Sequence, residues 1–322
     1  MTTVTGTSRA TSPVDVARAI VVCGVGRSGT SLLHSMLNAH PSLAFPPETH
    51  FFRRYVAADG ARRRIAAGTV HAFAHELSDD EDFARAGVPP GEVLADEADG
   101  AIDTARVYGR VLERIARAAG KPRVGDKDPR CIDFIPALAE ALPTARVVHV
   151  VRDPRAVVLS RTKAAWSASR PWWAHALLAQ EQLRRGRREG RALFGEGYLE
   201  VRYERLLADP EGELTRICDH CGVEYRAEML DFGASARALV GEREMSWKRE
   251  TLGPLLTGND EKWRAQLPAE QVAFVEAVCV EAFDGVGYPR SARRGALRRA
   301  ASVPLRGVAR SLVRARRWRD AL

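Results

Sequence analysis

The stretch from Gly24 to Ser31 is the part of the chain best suited to chemistry, and it reads Gly-Val-Gly-Arg-Ser-Gly-Thr-Ser. Glycines let the backbone turn tightly with its N–H groups pointing inward. The helix predicted to begin near Thr30 adds the positive end of its dipole. These features together predict a binding site for a tetrahedral anion, with Arg27 as a positive charge inside the loop.

The spacing of this loop is that of the ATP-binding loop G-x-x-x-x-G-K-[ST] except at one position. Gly24 and Gly29 match, as does Ser31. Thr30, however, stands where that motif requires Lys. In nucleotide triphosphatases this Lys reaches the β- and γ-phosphates and the next hydroxyl holds Mg²⁺. Its replacement argues against ATP or GTP as the ligand.

Charged residues also follow other apolar runs. Glu48 follows the run at 43–45, and Lys127 stands at the end of a short predicted strand. Arg152 directly follows the strongest predicted strand of the chain, residues 145–151. Ligands of α/β proteins bind at the carboxyl edge of the sheet, so we expect Glu48 to lie near the loop.

The elements that position these residues are predicted from hydrophobic periodicity. Their order predicts an α/β fold, in which a parallel sheet is flanked by helices on both faces and a helical cap is inserted at about 51–120. Residues 240–265 look rich in loops. Strands are predicted at 19–23, 43–45, from 123, at 145–151 and at 198–203, and helices after the loop, at 104–119 and 132–141, from 154, from 210 and at 268–283.

Composition excludes several classes of protein. The 322 residues have the mixture of apolar and charged residues of a soluble globular protein, and no window is apolar enough to predict a membrane span. Residues 1–18 are expected to form a loose tail and not a signal peptide. Five scattered cysteines favour a reducing, cytoplasmic setting. Cys218 and Cys221 are better explained as neighbours on one helix than as half of a zinc site.

The positive charge is concentrated at one end. Residues 290–322 contain 11 Arg and one acidic residue, so this segment has a net charge of +10. Because the whole chain has a formal net charge of +8, residues 1–289 together carry −2. A nucleic-acid partner for the body of the protein is therefore not expected. The segment is either a basic amphipathic helix that lies on anionic lipid or a disordered or partner-packed basic end.

The form Gly-x-x-Arg-Ser-Gly-Thr-Ser resembles the 5′-phosphosulfate loop of sulfotransferases that use 3′-phosphoadenosine-5′-phosphosulfate (PAPS). The resemblance is best to the branch with the protein-tyrosine sulfotransferases and their bacterial relatives. It implies the P-loop fold of the sulfotransferase and nucleoside-kinase type, with one domain at 19–289. The matching segments are 24–41, the Glu48 segment, 126–129, 147–160, 201–203 and, loosely, 244–263.

The resemblance also implies roles for individual residues. Glu48 would be the general base that deprotonates an acceptor hydroxyl, with His50 as the alternative because other branches use His. Lys127 would stabilise the leaving phosphate, and Arg27 would hold charge in the loop. Arg152 would grip the 3′-phosphate through two hydrogen bonds. The other implied donor contacts are Gly26, Ser28, Gly29, Thr30 and Ser31 at the phosphosulfate, Ser160 at the 3′-phosphate, Tyr203 near the adenine, and Lys248 at a phosphate.

Sulfuryl transfer involves less anionic charge than phosphoryl transfer, which lets Arg and Lys replace a metal, so no metal is expected. The acceptor would be a small molecule, a glycan or a lipid. Tyrosine specificity is not implied, because His50 stands where the animal relatives have Arg and the chain shows neither their anchor nor their disulfides. Two alternatives stay open: a small-molecule kinase using ATP and Mg²⁺ with Asp153 as metal ligand, and a non-catalytic nucleotide-binding membrane adaptor.

Overall fold

The computed structural model describes residues 14–56, 64–65, 70–94, 102–167, 169–253, 255 and 258–291. Most of the two predicted tails, 1–18 and 290–322, therefore lies outside the described residues, and so does the predicted amphipathic helix. Seven strands are present in the described part of the chain. They are β1 Ile20–Gly24, β2 Leu43–Ala44, β3 Arg64–Ile65, β4 Ile102–Asp103, β5 Arg123–Lys127, β6 Arg146–Val151 and β7 Tyr198–Arg202.

Five of these strands form one parallel sheet in the order β2-β5-β1-β6-β7. β1 lies at its centre, and its residues alternate between two hydrophobic cores. Val21 and Cys23 belong to one core, while Ile20 and Val22 belong to the other. Both faces of the sheet are thus buried, as is usual for parallel sheets. β3 and β4 pair antiparallel in a separate small sheet.

Helices cover both faces of the sheet, so the predicted α/β class is confirmed. The described residues between 51 and 118, where the cap was predicted, form five helices and the β3–β4 pair. The helices are α1 Thr30–Ala39, α2 Phe51–Tyr55, α3 Val70–Asp79, α4 Glu81–Ala84, α5 Pro90–Leu94, α6 Thr104–Ala118, α7 Ile135–Ala141, α8 Pro154–Lys163, α9 Trp172–Phe194, α10 Tyr203–Ala208, α11 Pro210–Cys221, α12 Gly233–Leu239, α13 Met245–Lys248, α14 Trp263–Gln266 and α15 Ala269–Val278.

The longest helix, α9, is missing from the predicted order. It carries Gly186 and Gly190, which lower helix propensity in the interior of a helix. Both glycines are sites of close packing. A Cβ atom on Gly186 would lie 2.5 Å from the side chain of Ile132, and one on Gly190 would lie 2.3 Å from the Tyr198 ring. Tertiary packing thus requires the same two glycines that weaken the helical signal in the sequence.

Two other predictions need correction. Residues 242–252 are not open loop but short helical turns around α13. The last helix does not run unbroken from 268 to 283, because α15 ends at Val278 and a π-helical turn covers Glu281–Val286. All five cysteines are free and buried, as expected of helix and core residues. Among the described residues, no helix combines the length and the apolar character needed to cross a membrane.

Candidate active site

The phosphate loop connects β1 to α1 at the carboxyl edge of the sheet. Gly29, its last residue, has a φ of 95° in the left-handed region that favours glycine. A Cβ atom at this position would lie 2.1 Å from the Tyr203 ring, so the close approach of that ring also requires glycine. No side chain caps the N-terminus of α1. The first N–H groups of this helix thus face the loop as anion ligands.

Arg27 is strained, and its side chain links the loop to α8. Its φ of 78° is uncommon for a residue with a Cβ atom, and such strain is frequent at functional sites. Its Nε donates to Ser160 Oγ at 3.0 Å, and its carbonyl oxygen accepts from Arg152 at 3.1 Å. Arg27, Ser160 and Arg152 therefore form one connected group.

Arg152 is held over the ring of Tyr203. Its guanidinium carbon lies 4.4 Å from the ring centroid, and its second terminal nitrogen donates to the carbonyl oxygen of Asn259 at 2.9 Å. The Asn259 side chain donates in turn to the Tyr203 hydroxyl at 3.0 Å. These contacts orient the arginine fork beside the phosphate loop. Asn259 lies in a segment without hydrophobic periodicity, so no sequence pattern pointed to it.

Glu48, Lys127 and Lys248 form a buried ionic cluster next to the loop. Both ammonium groups contact the same carboxylate oxygen, Glu48 Oε1, with Lys248 Nζ at 2.5 Å. Lys127 Nζ also lies 3.3 Å from Ser31 Oγ at the start of α1. Residues from β5, from the turn after β2 and from α13 thus converge on the phosphate loop. The phosphate contact that the sequence resemblance implies for Lys248 stays a prediction.

The pKa values in this cluster follow from burial and from the ion pairs. Burial alone would raise the pKa of Glu48, but Lys127 and Lys248 lower it well below its usual value. Burial lowers the pKa of Lys127 to about 8, even though Glu48 opposes the shift. Burial also acts to lower the pKa of Lys248, but Glu48 and Glu244 raise it overall. The cluster therefore holds a carboxylate and an ammonium group that is easily deprotonated.

His50 and Asp128 lie on the other side of Glu48. His50 Nδ1 is 3.5 Å from Asp128 Oδ2 and 3.8 Å from Glu48 Oε2. Burial would lower the pKa of His50, but the Asp128 charge raises it overall. Burial would raise the pKa of Asp128, but His50 lowers it to about 2. The ligand atoms of these three residues lie within 4.8 Å of one another, close enough to hold a cation.

Glu244 is a further charged residue of the site that the sequence did not single out. Its carboxylate binds Lys248, and it also accepts from Arg85 at 3.4 Å and from the backbone N–H of Gly241 at 3.2 Å. Arg85 follows α4 of the cap region and donates to the carbonyl of Leu239. Alternating charges therefore connect Glu48 to the cap region through Lys248, Glu244 and Arg85.

A cavity of about 310 Å³ opens between the loop and these clusters. A second cavity, of about 430 Å³, adjoins it and shares Arg27, Arg152 and Asn259 with it. Ser160 lines the second cavity, while Ser28 is buried beneath the loop and lines neither. The predicted site residues lining the first cavity are Gly26, Arg27, Gly29, Thr30, Ser31, Glu48, Arg152, Tyr203 and Lys248.

The fold and the loop define a P-loop-type protein that binds a tetrahedral anion. A family model described as "Sulfotransferase family" matches residues 19–227. The chain therefore belongs to the sulfotransferase family, as its sequence motifs predict.

Individual relatives agree with this assignment. The protein-tyrosine sulfotransferase of Drosophila melanogaster is 24% identical over 270 residues, which are 79% of this chain and 48% of that protein. The omega-hydroxy-beta-dihydromenaquinone-9 sulfotransferase Stf3 of Mycobacterium tuberculosis is 25% identical over 273 residues, covering 70% of each chain. The crystal structure of the sulfotransferase domain from the Synechococcus PCC 7002 olefin synthase has a TM-score of 0.56 and 25% identity, covering 80% of this chain and 93% of that one.

Proposed function

We propose that the protein transfers a sulfuryl group from PAPS to an acceptor hydroxyl, with Glu48 as general base. The observation that supports this most strongly is the position of Glu48. Its Oε1 binds Lys127, and Lys127 also contacts Ser31 at the start of α1. A base for the acceptor and a cation for the leaving group thus stand side by side at a phosphate loop.

The reaction would exchange one S–O bond for another. The acceptor oxygen attacks sulfur while its proton passes to Glu48, and the bond from sulfur to the bridging oxygen breaks. The electron pair remains on the bridging oxygen, where Lys127 and Arg27 would stabilise it. The donor's negative charge would compete with Glu48 for the same ammonium groups. Glu48 would then be released as a base when the donor binds.

The 3′-phosphate would occupy the second cavity. Ser160 and Arg152 line it, as do Lys163 and Lys262 on the side away from the loop. Arginine suits this role because its planar fork can bind two phosphate oxygens at once. Tyr203, which lies under the Arg152 guanidinium, would then support the nucleoside between the two anionic groups.

Glu48 is a better candidate for the base than His50. The raised pKa of His50 keeps its ring protonated further toward neutral pH, and a protonated imidazole accepts no proton. Glu48 stays ionised, and its Oε2 lies 3.8 Å from the nearest His50 nitrogen, beyond hydrogen-bond distance. Both ammonium groups contact Oε1, so Oε2 would receive the proton.

We propose that the reaction needs no metal. Glu48, His50 and Asp128 could bind a cation, but two ammonium groups contact Glu48 Oε1 and would repel a divalent ion there. The kinase alternative is disfavoured by a separate observation. Asp153, its candidate Mg²⁺ ligand, has both carboxylate oxygens bound by Arg155.

Calorimetry with the bisphosphate product of PAPS, compared with ATP and Mg²⁺, tests the donor. Labelled PAPS offered with a panel of hydroxyl acceptors then tests transfer. The panel should contain small molecules, glycans and lipids, because the relatives named above act on acceptors as different as protein tyrosine and a menaquinone. Binding of the bisphosphate without transfer to any acceptor would favour the adaptor alternative. Binding of ATP in preference to the bisphosphate would contradict the proposal.

Location and membrane contact stay predictions. The cytoplasmic location is expected from the cysteines alone, and peripheral contact through 290–322 depends on a segment that lies almost entirely outside the described part of the chain. Binding of the full chain to anionic liposomes, compared with a chain ending at residue 290, tests the contact. Equal binding by both would remove residues 291–322 from the explanation.

A further inference from the structure

A third cavity, of about 210 Å³, lies beside the edge strand β7 and is lined by four arginines. We call it the arginine pocket and define it by Arg187, Arg202, Arg205 and Arg216. Glu200 is the acidic residue among its lining residues. None of these four arginines lines either cavity of the candidate active site.

Two of the four arginines are neutralised by carboxylates. Arg187 binds Glu200 at 3.0 Å and also contacts Glu281. Arg216 contacts Glu213, and it donates to the carbonyl oxygen of Glu200 at 2.9 Å. Charge pairing thus fixes these two side chains as the walls of the pocket.

The other two arginines carry uncompensated charge. Among the described residues, neither Arg202 nor Arg205 makes an ion pair or a side-chain hydrogen bond. Arg202 is half-buried, its Nε is shielded from solvent without a partner, and its guanidinium stacks 4.2 Å from the centroid of the Tyr288 ring. Arg205 is exposed at the rim. A buried donor without a partner costs free energy, which a bound acceptor would recover.

We infer that the arginine pocket is a second anion site, which binds a small dianionic oxyanion such as sulfate or a phosphate group. Two unpaired guanidinium groups match two negative charges, and guanidinium forks suit tetrahedral oxyanions. Glu204, the next carboxylate along the chain, is already occupied by the Asp153 N–H and the Tyr288 hydroxyl. This inference does not depend on the proposed reaction.

The pocket adjoins the donor site without opening into it. Val151 and Arg202 are partners in the β6–β7 register and lie at the arginine pocket. Arg152 and Tyr203, the next residue on each chain segment, line the cavity of the candidate active site. The two anion sites are therefore separated by a single peptide step on each of two strands.

Sulfate titration of the full chain by calorimetry tests the inference, with the double variant R202Q/R205Q as the central comparison. The phosphate loop also binds anions, so wild type should show two classes of site and the variant one. In the variant, we expect the affinity of the arginine pocket for sulfate to fall by at least about tenfold, since each charge-assisted hydrogen bond contributes on that scale. The charge-matched double variant R114Q/R117Q, at exposed positions of α6, should keep both sites.

Two further measurements keep the inference falsifiable. R205Q alone changes an exposed side chain, so it should fold normally and still weaken sulfate binding. Crystals soaked in selenate should show an anomalous peak between Arg202 and Arg205. The inference is overturned if R202Q/R205Q retains both classes of site, if R114Q/R117Q loses one equally, or if acetate binds the pocket as well as sulfate does.

Discussion

Two clusters of buried ionic groups lie beyond the carboxyl edge of the sheet, and they differ in how completely their atoms are used. Arg155 binds Asp153 through two nitrogens and Glu276 at 2.6 Å, and it donates to the carbonyl of Pro289 at 3.0 Å. Its guanidinium also stacks 3.8 Å from the centroid of the Trp263 ring. Each of the three guanidinium nitrogens of Arg155 therefore has an acceptor.

The Glu48 cluster leaves capacity unused. One carboxylate oxygen takes both ammonium groups, and the other lies 3.8 Å from His50. Glu48 and Lys248 line a cavity, whereas Arg155 lines none of the three cavities described above. Burial of charge alone therefore does not identify an active site. Incomplete pairing beside a cavity favours the Glu48 cluster as the candidate active site, because such groups can bind a substrate without giving up the contacts that hold the fold.

The largest expected effect is on turnover in the Glu48→Gln variant. The amide keeps the shape of the side chain but cannot take up a proton, so we expect turnover to fall by about 10²–10⁴-fold. Binding of the bisphosphate product should persist, because the loop and Arg152 are unchanged. Initial rates with labelled donor and calorimetry with the product measure the two effects separately.

His50→Asn is the matched control for that variant. It removes the alternative base but leaves the Glu48 carboxylate in place, so we expect a smaller loss of turnover. If E48Q keeps near-normal turnover and H50N does not, the proton acceptor is His50. The unused carboxylate oxygen of Glu48 would then not mark the general base.

The next effect in size is on the chemical step in the Lys127→Met variant. Removing one preorganised charge from a developing anion typically costs about 10²–10³-fold in rate. We expect single-turnover rates to fall by this amount with a smaller change in donor affinity, because Lys127 contacts Ser31 rather than forming the loop itself. An equal loss in rate and in affinity would make Lys127 a ground-state binding residue instead.

Substitutions in the Arg155 cluster should change the stability of the protein rather than its catalysis. Arg155→Met would remove the cation that binds the buried carboxylates of Asp153 and Glu276, and breaking a buried ion pair typically costs about 3–5 kcal/mol of unfolding free energy. Urea unfolding measures the loss. Arg226→Met is the control, because the Arg226–Glu224 pair is exposed and such pairs contribute about 0–1 kcal/mol. A rate defect in folded R155M without a loss of stability would erase the distinction between the clusters.

Local sequence patterns predicted much of this molecule. The apolar runs located the five strands of the main sheet to within about two residues, and the loop motif located the anion site, because both signals are contained in short stretches of sequence. The pairing of Glu48 with Lys248 spans 200 positions, and no local pattern encodes it. The sequence resemblance pointed to Lys248 as a donor contact, and it did so without indicating that Glu48 is its partner in the structure.

Residues without a periodic or motif signal were missed for the same reason. Asn259 and Glu244 lie in a segment of short turns, where hydrophobic periodicity carries no information. Helix α9 was missed because it contains two glycines that lower its helix propensity. Both are required by packing against residues outside the helix, Gly186 against Ile132 and Gly190 against Tyr198. The long-range contacts were thus not predictable from the sequence. They include the contacts that distinguish the Glu48 cluster from the Arg155 cluster.

The smallest expected effect is a pH dependence of the reaction rate that arises from Lys127 in the Glu48 cluster. Burial lowers the pKa of Lys127 to about 8, so its charge is present below that pH and is lost as the pH rises through it. Since kcat/KM reports the free enzyme, it should fall above pH 8 by about tenfold per pH unit. Lys127→Arg keeps its charge at every accessible pH and should abolish this alkaline limb while lowering the overall rate. An alkaline limb that persists in K127R but disappears in R155M would assign the titrating group to the Arg155 cluster instead of to Lys127.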